Sequence, residues 1–317
     1  AECGSGEKMV ALLSHLDVVP AGDPAAWRTP PFKLTVQDDF MYGRGTVDDK
    51  GPLVLALHVL KALKDSGTKL HKRVRLIVGC GEETGSQCMQ HYTKVEELPQ
   101  YAITPDADYP GIIGEKGMLR LRFHKKLSGQ GPTLIMNVGT VINAVPGEAE
   151  ATVNGKKYTA IGRAAHGAMP EKGDNALLKL CRTLSQEYHH EFLDLMQLMT
   201  KTGLNIDLAD AQSVLTLAPS LATVTATEAE AKCDIRFPVS MHYADILARV
   251  EKAVAPTGFE IEVLRANEPL RIPADSAFAR GLLATYQKCT GDTKSKQSII
   301  GGGTYAKFLP HTMAFGI

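Results

Sequence analysis

Short unbroken apolar runs alternate with amphipathic segments through the first third of the chain. MVALLSHLDVV, from Met9, predicts a buried strand whose end carries His15 and Asp17. Turn residues between short alternating runs in WRTPPFKLTVQDDFMYGRG predict a hairpin. GPLVLALHVLKALKDSG is apolar at helical spacing, starting at Gly51-Pro52 and stopping at Gly67. KRVRLIVGC reads as a second buried strand, SQCMQHYTKV as a helix and YAITPDADYP as a short strand ending in acids. Strands alternating with helices predict an α/β fold with a mostly parallel central sheet and chemistry at the strand ends.

The pattern changes after GEKGMLRLRFHKK. Alternating strands such as MLRLRF and EAEAKCDIRF follow, with helices over NALLKLCRTLSQEYHHEFLDLMQLM and YADILARVEKAVAP. This is an α+β texture, a two-layer sandwich. After PLRIPAD a helix from about Ser276 to Lys288 leads into SIIGGGTYAKFLPHTMAFGI, whose last apolar strand could rejoin the first sheet. The expected organisation is a discontinuous domain, 1–117 with 272–317, and an inserted domain, 118–271.

Composition narrows the function classes. The 317 residues are 44% hydrophobic, enough for one large domain or two ordinary ones. Lys plus Arg is 35 and Asp plus Glu is 35, so no net charge draws the chain to nucleic acid or membrane. No apolar run is long enough for a membrane span. The cysteines at 3, 80, 88, 181, 233 and 289 form no CxxC pair. That disfavours a disulfide framework or a cysteine zinc site, and a reducing cytoplasm is the expected compartment.

Candidate chemistry sits at the predicted strand ends. His15 and Asp17, two apart on a strand, share a face; the imidazole could bind a metal while the carboxylate orients it, or both could be ordinary strand-end polar groups. Asp48 and Asp49 follow a Gly-rich turn before a helix and could equally be helix caps. GRG lacks the spacing of a phosphate loop. In GCGEETG the adjacent Glu82 and Glu83 repel each other. Their adjacency makes sense if one binds a cation while the other stays free to move a proton; the alternative is a solvated turn. Asp106 and Asp108 follow a proline and could share a strand face or form a turn. Ends of strands in one parallel sheet converge. His15, Asp48, Glu82, Glu83 and Asp106 could therefore meet, and such a mixed set suits zinc or manganese.

In this order SHLDVVPAG, GRGTVDDKGP, GCGEETG, TPDADYP and GEKG resemble the co-catalytic di-zinc metallopeptidase family of aminoacylase, carnosinase and glutamate carboxypeptidase. The similarity is greatest to bacterial PepV-type dipeptidases and continues through AAHGAMPEKGDNA, CDIRFPV and IGGGTYA. It implies a zinc-peptidase-like catalytic domain with an inserted α+β two-layer lid. It also implies two divalent cations, zinc first, with manganese or cobalt as alternatives. His15 and Asp106 would hold one metal, Glu83 the other, and Asp48 would bridge them. Asp17 would orient His15, Glu82 would be the general base, and the Asp48–Asp49 peptide would be cis. In the lid, His166 would polarise the scissile carbonyl, Arg236 would grip the substrate carboxylate and Asn143 would lie near the substrate. Gly301, Gly302, Gly303 and Thr304 would offer backbone N–H groups to that carboxylate.

The implied activity is hydrolysis of dipeptides with a free C-terminal carboxylate, with small peptides as partners and neither nucleic acid nor membrane. Monomer and homodimer stay open. The alternatives are an N-acyl amino acid hydrolase or carboxypeptidase of the same family, or a non-catalytic binding module retaining the fold. The family's last ligand is a histidine just beyond an AFG strand, and the sequence ends at Ile317; His311 precedes that strand and is not assigned the role. The start in mid-pattern, the abrupt Val153–Asn154 passage and the stop at Ile317 set the expectation of a longer native protein. It would have more chain at both ends and in the lid, with the final ligand in the tail.

Overall fold

Met9 to His15 form the expected strand. It runs parallel to Arg73–Gly79 on one side and Tyr101–Thr104 on the other. Thr312–Ala314 joins Tyr101–Thr104 in parallel, so the chain's last apolar run does return to the first sheet. A parallel sheet is covered on both faces, and its strands are therefore apolar at both parities. On one face Ala11, Leu13, Ile77 and Ala102 pack against Met89 and Tyr305. On the other, Leu76 and Leu12 meet Ala56 and Leu60 of the helix Lys50–Asp65. With both faces closed, the strand ends remain as the place for polar groups. His15 pairs in register with Gly79, so the loops carrying Asp17 and Glu82 leave the sheet at one level.

The computed structural model describes residues 1–316. It divides into two compact units: Ala1–Gly114 with Leu270–Ile317, and Glu115–Pro269. The sheet continues antiparallel on both sides, with Glu2–Cys3 beside Arg73–Gly79 and Ile112–Glu115 beside Thr312–Ala314, and Leu270–Arg271 lies beyond Ile112–Glu115. The hairpin expected after Trp27 is Thr35–Gln37 with Phe40–Tyr42. The helix expected from Ser276 runs Ala277–Thr290; the Ser276 side chain accepts the Ala279 N–H, and Gly291 ends it at φ 75°.

The second unit is the two-layer sandwich the sequence pattern predicts. Antiparallel strands lie in the order Lys156–Ile161, Glu148–Val153, Leu134–Val138, Thr216–Val224, Glu228–Phe237, Gly117–Lys126, Glu260–Asn267. One sheet face is apolar: Leu119, Leu121, Phe123, Cys233, Ile235 and Phe237 pack with Leu180, Leu195 and Val250 of the covering helices. The single long helix expected over 175–199 is instead two, Ala176–Glu187 and Glu191–Leu198. Tyr188 is extended, and His190 restarts the helix by accepting the Phe192 N–H on Nδ1 at 3.1 Å. The abrupt Val153–Asn154 passage is a tight hairpin turn. Asn154 and Gly155 both have positive φ, 50° and 81°, as two-residue hairpins require, and Val153 pairs with Lys156. Among the described residues no helix is long and apolar enough to cross a membrane.

Candidate metal centre

His15 ends its strand with a side chain only 2% exposed. Its Nδ1 lies 2.9 Å from the backbone carbonyl of Asp17. Such a contact places a hydrogen on Nδ1 and leaves Nε2 as the ligand atom. Nε2 lies 2.9 Å from Asp48 Oδ1 and 3.9 Å from Asp106 Oδ2. Burial alone would lower the His15 pKa, but the Asp48 bond and the Asp106 and Glu82 charges outweigh it and raise the pKa.

Two expectations about the acids change in detail. Asp17 lies past the strand end rather than on its face. Its carbonyl holds the His15 ring, and its carboxylate accepts the backbone N–H groups of Glu82 and Glu83, each at 3.1 Å. It therefore ties two strand ends together as well as orienting the histidine. The other strand stops at Thr104, so Asp106 and Asp108 lie in a turn and not on a shared strand face.

The Asp48–Asp49 peptide is cis. Asp49 precedes the helix Lys50–Asp65, yet its side chain makes no cap. It is fully buried, and its Oδ2 accepts the His15 backbone N–H at 2.9 Å. Asp49 is a positioning residue that the sequence reading passed over; a second aspartate beside a candidate ligand was the available signal. Burial pushes the Asp49 carboxyl up to about 6.

Glu82 follows the Arg73–Gly79 strand in a turn closed by the Ser86 N–H on the Gly81 carbonyl. Burial, offset by His15 but reinforced by the charges of Glu83, Asp17 and Asp48, lifts its carboxyl to about 7. Burial and Asp48 raise Glu83, and burial and Asp49 raise Asp106. Burial is the largest cause in all three, the neighbouring acids add to it, and the charge of His15 only partly offsets them.

A cleft of ≈ 250 Å³ is lined by His15, Asp48, Glu82, Glu83 and Asp106, with Gly302, Gly303 and Thr304 also in its wall. Gly301 is not among its lining residues. Thr304 uses its hydroxyl to accept the Ala306 N–H, capping the short helix that begins at Tyr305. Ligand atoms of His15, Asp48 and Glu83 lie within 4.8 Å of one another. One imidazole nitrogen with carboxylate oxygens is a donor set for zinc or manganese. The residues therefore fit a divalent cation, which would favour the ionised form of the raised carboxylates. His311 lies elsewhere: its ring is 5.5 Å from Tyr101, at the opposite end of that strand.

Tyr305 braces this centre, which the sequence reading also missed. Its ring is edge-on to His15 at 6.1 Å, and its hydroxyl is 3.1 Å from Cys88 Sγ. A Cβ on Gly79 would fall 2.0 Å from that hydroxyl. Gly79→Ala is expected to cost about 1–3 kcal/mol through overpacking, read as a lower urea unfolding midpoint. An unchanged midpoint would mean Tyr305 moves aside freely.

The second unit gathers the other predicted residues. His166 accepts the Ala168 N–H on Nδ1 at 3.1 Å, which leaves the hydrogen of a neutral ring on Nε2. Burial, then the charges of Arg236 and Arg120, lower its pKa. Asn143 lies beside it: Ala144 pairs with His166, and the Gly167 N–H donates to the Asn143 carbonyl at 2.6 Å. A Cβ on Gly167 would sit 3.0 Å from that oxygen, so the close approach favours glycine. Arg236 is 4% exposed on the strand Glu228–Phe237.

The model of Peptidase family M20/M25/M40 matches residues 11–317. The chain belongs to that family. It is thus a peptidase, a hydrolase of peptide bonds. "Putative dipeptidase YtjP" of Bacillus subtilis is 32% identical over 362 residues, covering 99% of this chain and 76% of the relative. Among solved structures, the fold is similar to the M20 family metallo-carboxypeptidase Sso-CP2 of Sulfolobus solfataricus. There the TM-score is 0.60 at 16% identity, over 99% of this chain and 78% of that one. It is also similar to the di-peptidase Dug1p of Saccharomyces cerevisiae, with TM-score 0.58 and 16% identity, over 99% and 74%. These M20 likenesses support the fold class expected from the strand and helix pattern.

Proposed function

We propose that this M20 peptidase is a metal-dependent dipeptidase acting on dipeptides with a free C-terminal carboxylate. The observation that carries the reading is one cleft that holds His15, Asp48 and Glu83 beside the half-buried carboxyl of Glu82 and the Gly302–Gly303 backbone. The name of the Bacillus subtilis relative supports the dipeptide class. His15, Asp106, Asp48 and Glu83 would hold two divalent cations, zinc first. Bound there, such cations supply Lewis-acid polarisation and lower the pKa of water.

The chain's own residues do the proton work. Glu82, in the wall of the same cleft as the candidate ligands, accepts a proton from the water that attacks the scissile carbonyl carbon. As the C–N bond breaks, Glu82 returns that proton to the leaving amine, and the water oxygen ends in the new carboxylate. Asp17 keeps Glu82 and Glu83 in place through their backbone N–H groups. His166, neutral with its hydrogen on Nε2, donates to the carbonyl oxygen as charge builds there. On this reading Arg236 pairs with the substrate carboxylate and Asn143 contacts the substrate. Gly302, Gly303 and Thr304 line the cleft of the first unit, where backbone donors suit an anion.

The test is a panel of free dipeptides, N-acyl amino acids and longer peptides, each assayed with zinc, manganese and cobalt. Turnover of dipeptides above the others is expected; preference for acylated amino acids would replace this reading with an acylase. Arg236→Ala is expected to cut kcat/KM for free-acid dipeptides by about 10- to 150-fold, the loss of one charge-assisted pair, and to spare their C-terminal amides. Equal losses on both would make Arg236 structural.

A further inference from the structure

The polar face of the second unit's sheet carries a charge arrangement that the reading above does not use. Strand alternation turns Cys233, Ile235 and Phe237 into the apolar core and sets Asp234 and Arg236 on the opposite face. Asp234 is fully buried. It binds one edge of Arg236, with Arg236 Nε donating to Oδ1 at 2.6 Å and Nη2 to Oδ2 at 3.0 Å. On the neighbouring strand Arg120 pairs in register with Asp234, and its Nε donates to Oδ2 at 3.0 Å. Opposite Arg236 on the other neighbour is Thr216, whose buried Oγ1 has no hydrogen-bond partner among the described residues.

These contacts separate two properties of a carboxylate clamp. Orientation comes from Asp234, because a bidentate fork fixes both the plane and the direction of the Arg236 guanidinium. Charge is the harder property. An arginine locked to a buried aspartate is a neutral pair, and a neutral pair attracts an anion weakly. Arg120 changes the balance within this trio, since a second guanidinium shares the one carboxylate of Asp234. The field of both arginines reaches His166, whose pKa each of them lowers while Asp234 raises it. The unpartnered Thr216 hydroxyl is a second sign of a polar ligand, since a buried hydroxyl is costly to leave unmet.

We propose that Arg120 and Asp234 are positioning residues that make Arg236 a fixed, positively charged clamp for the substrate's C-terminal carboxylate. Asp234 sets its direction and Arg120 supplies the charge that Asp234 cancels. The proposal rests on the dipeptidase reading, in which Arg236 meets that carboxylate. It adds that recognition fails when Arg120 is neutralised, although Arg120 need not touch substrate.

The full chain, loaded with zinc or manganese, is assayed on one dipeptide as the free acid and as its C-terminal amide. Arg120→Gln is expected to raise KM for the free acid about tenfold with kcat within twofold, to shift KM for the amide no more than twofold, and to be rescued by Arg120→Lys. Asp234→Asn is expected to lower kcat/KM selectively for the free acid. If that buried variant does not fold, the Arg120 position, whose side chain is 19% exposed, still decides. Arg236→Ala runs alongside. If it separates acid from amide and Arg120→Gln does not, the assignment of Arg120 is overturned while the dipeptidase reading stands. Should Arg236→Ala itself fail to separate them, Arg236 is structural and the clamp proposal falls, while turnover across the substrate panel still decides the dipeptidase reading. Equal KM losses on acid and amide in Arg120→Gln would make Arg120 a sheet-stabilising residue and likewise overturn the proposal.

Discussion

Glu82→Gln should lower kcat by roughly 10²–10⁴-fold while the protein keeps its fold and its metal. That is the range general-base catalysis typically contributes. Of the carboxyls that line the cleft outside the His15, Asp48 and Glu83 set, Asp106 is read as a ligand beside His15 and Asp108 is exposed, which leaves Glu82. Glutamine keeps the size and the backbone N–H that donates to Asp17 Oδ1. The loss should therefore fall on kcat, with KM and metal content nearly unchanged. Glu83→Gln should behave differently, because its oxygen lies within the ligand set. Metal occupancy should drop first, and activity should return in part at higher metal concentration. Elemental analysis beside steady-state kinetics separates the two variants. Parental turnover by Glu82→Gln would remove it from the mechanism, and equal metal loss in both variants would make Glu82 a ligand.

The sheet and the candidate ligands were legible in the sequence for one physical reason. Strands buried on both faces must be apolar throughout, so an acid or imidazole can sit only where the strand runs out. His15, Glu82, Glu83 and Asp106 all follow such runs, and the strand ends bring them together. What stayed hidden depends on partners far along the chain. Asp49 looked like a helix cap, but its oxygen is taken by the backbone of residue 15. Asp17 looked like a partner of His15 alone, but its carboxylate holds a turn 65 residues away. Tyr305 sat in a glycine-rich tail with nothing local to link it to Gly79. The break at His189–His190 was missed because apolar spacing continues across it, and only the cap geometry of His190 shows the restart. Local pattern therefore located the chemistry, and long-range hydrogen bonds supplied the residues that aim it.

Chelation should abolish peptidase activity and also loosen the first unit, and the second effect can be read without substrate. In the metal-free protein burial and neighbouring acids raise Glu82 to about 7 and raise Glu83 and Asp106 above their ordinary range. His15 is raised as well, the effect of its burial being outweighed by Asp48, Asp106 and Glu82. For these groups the folded state binds more protons than the unfolded chain does. Stability therefore falls as pH rises from the ordinary carboxylate range toward neutrality. Asp48 runs the other way, held low by its hydrogen bond to His15, and offsets part of the slope. A divalent cation supplies positive charge beside these acids, and it competes with the same protons. At a hundredfold excess over Kd it should add about 2.7 kcal/mol of stability. The melting temperature of the loaded protein should thus exceed that of the chelated protein by a margin that widens between about pH 5 and about pH 7.5. Taking the difference at each pH cancels every titration remote from the site. Back-titration with zinc, manganese or cobalt should restore activity and melting temperature together. A margin independent of pH would mean that these acids and His15 do not share a cation, and activity that survives exhaustive chelation would leave Glu82 without the metal chemistry assigned to its neighbours.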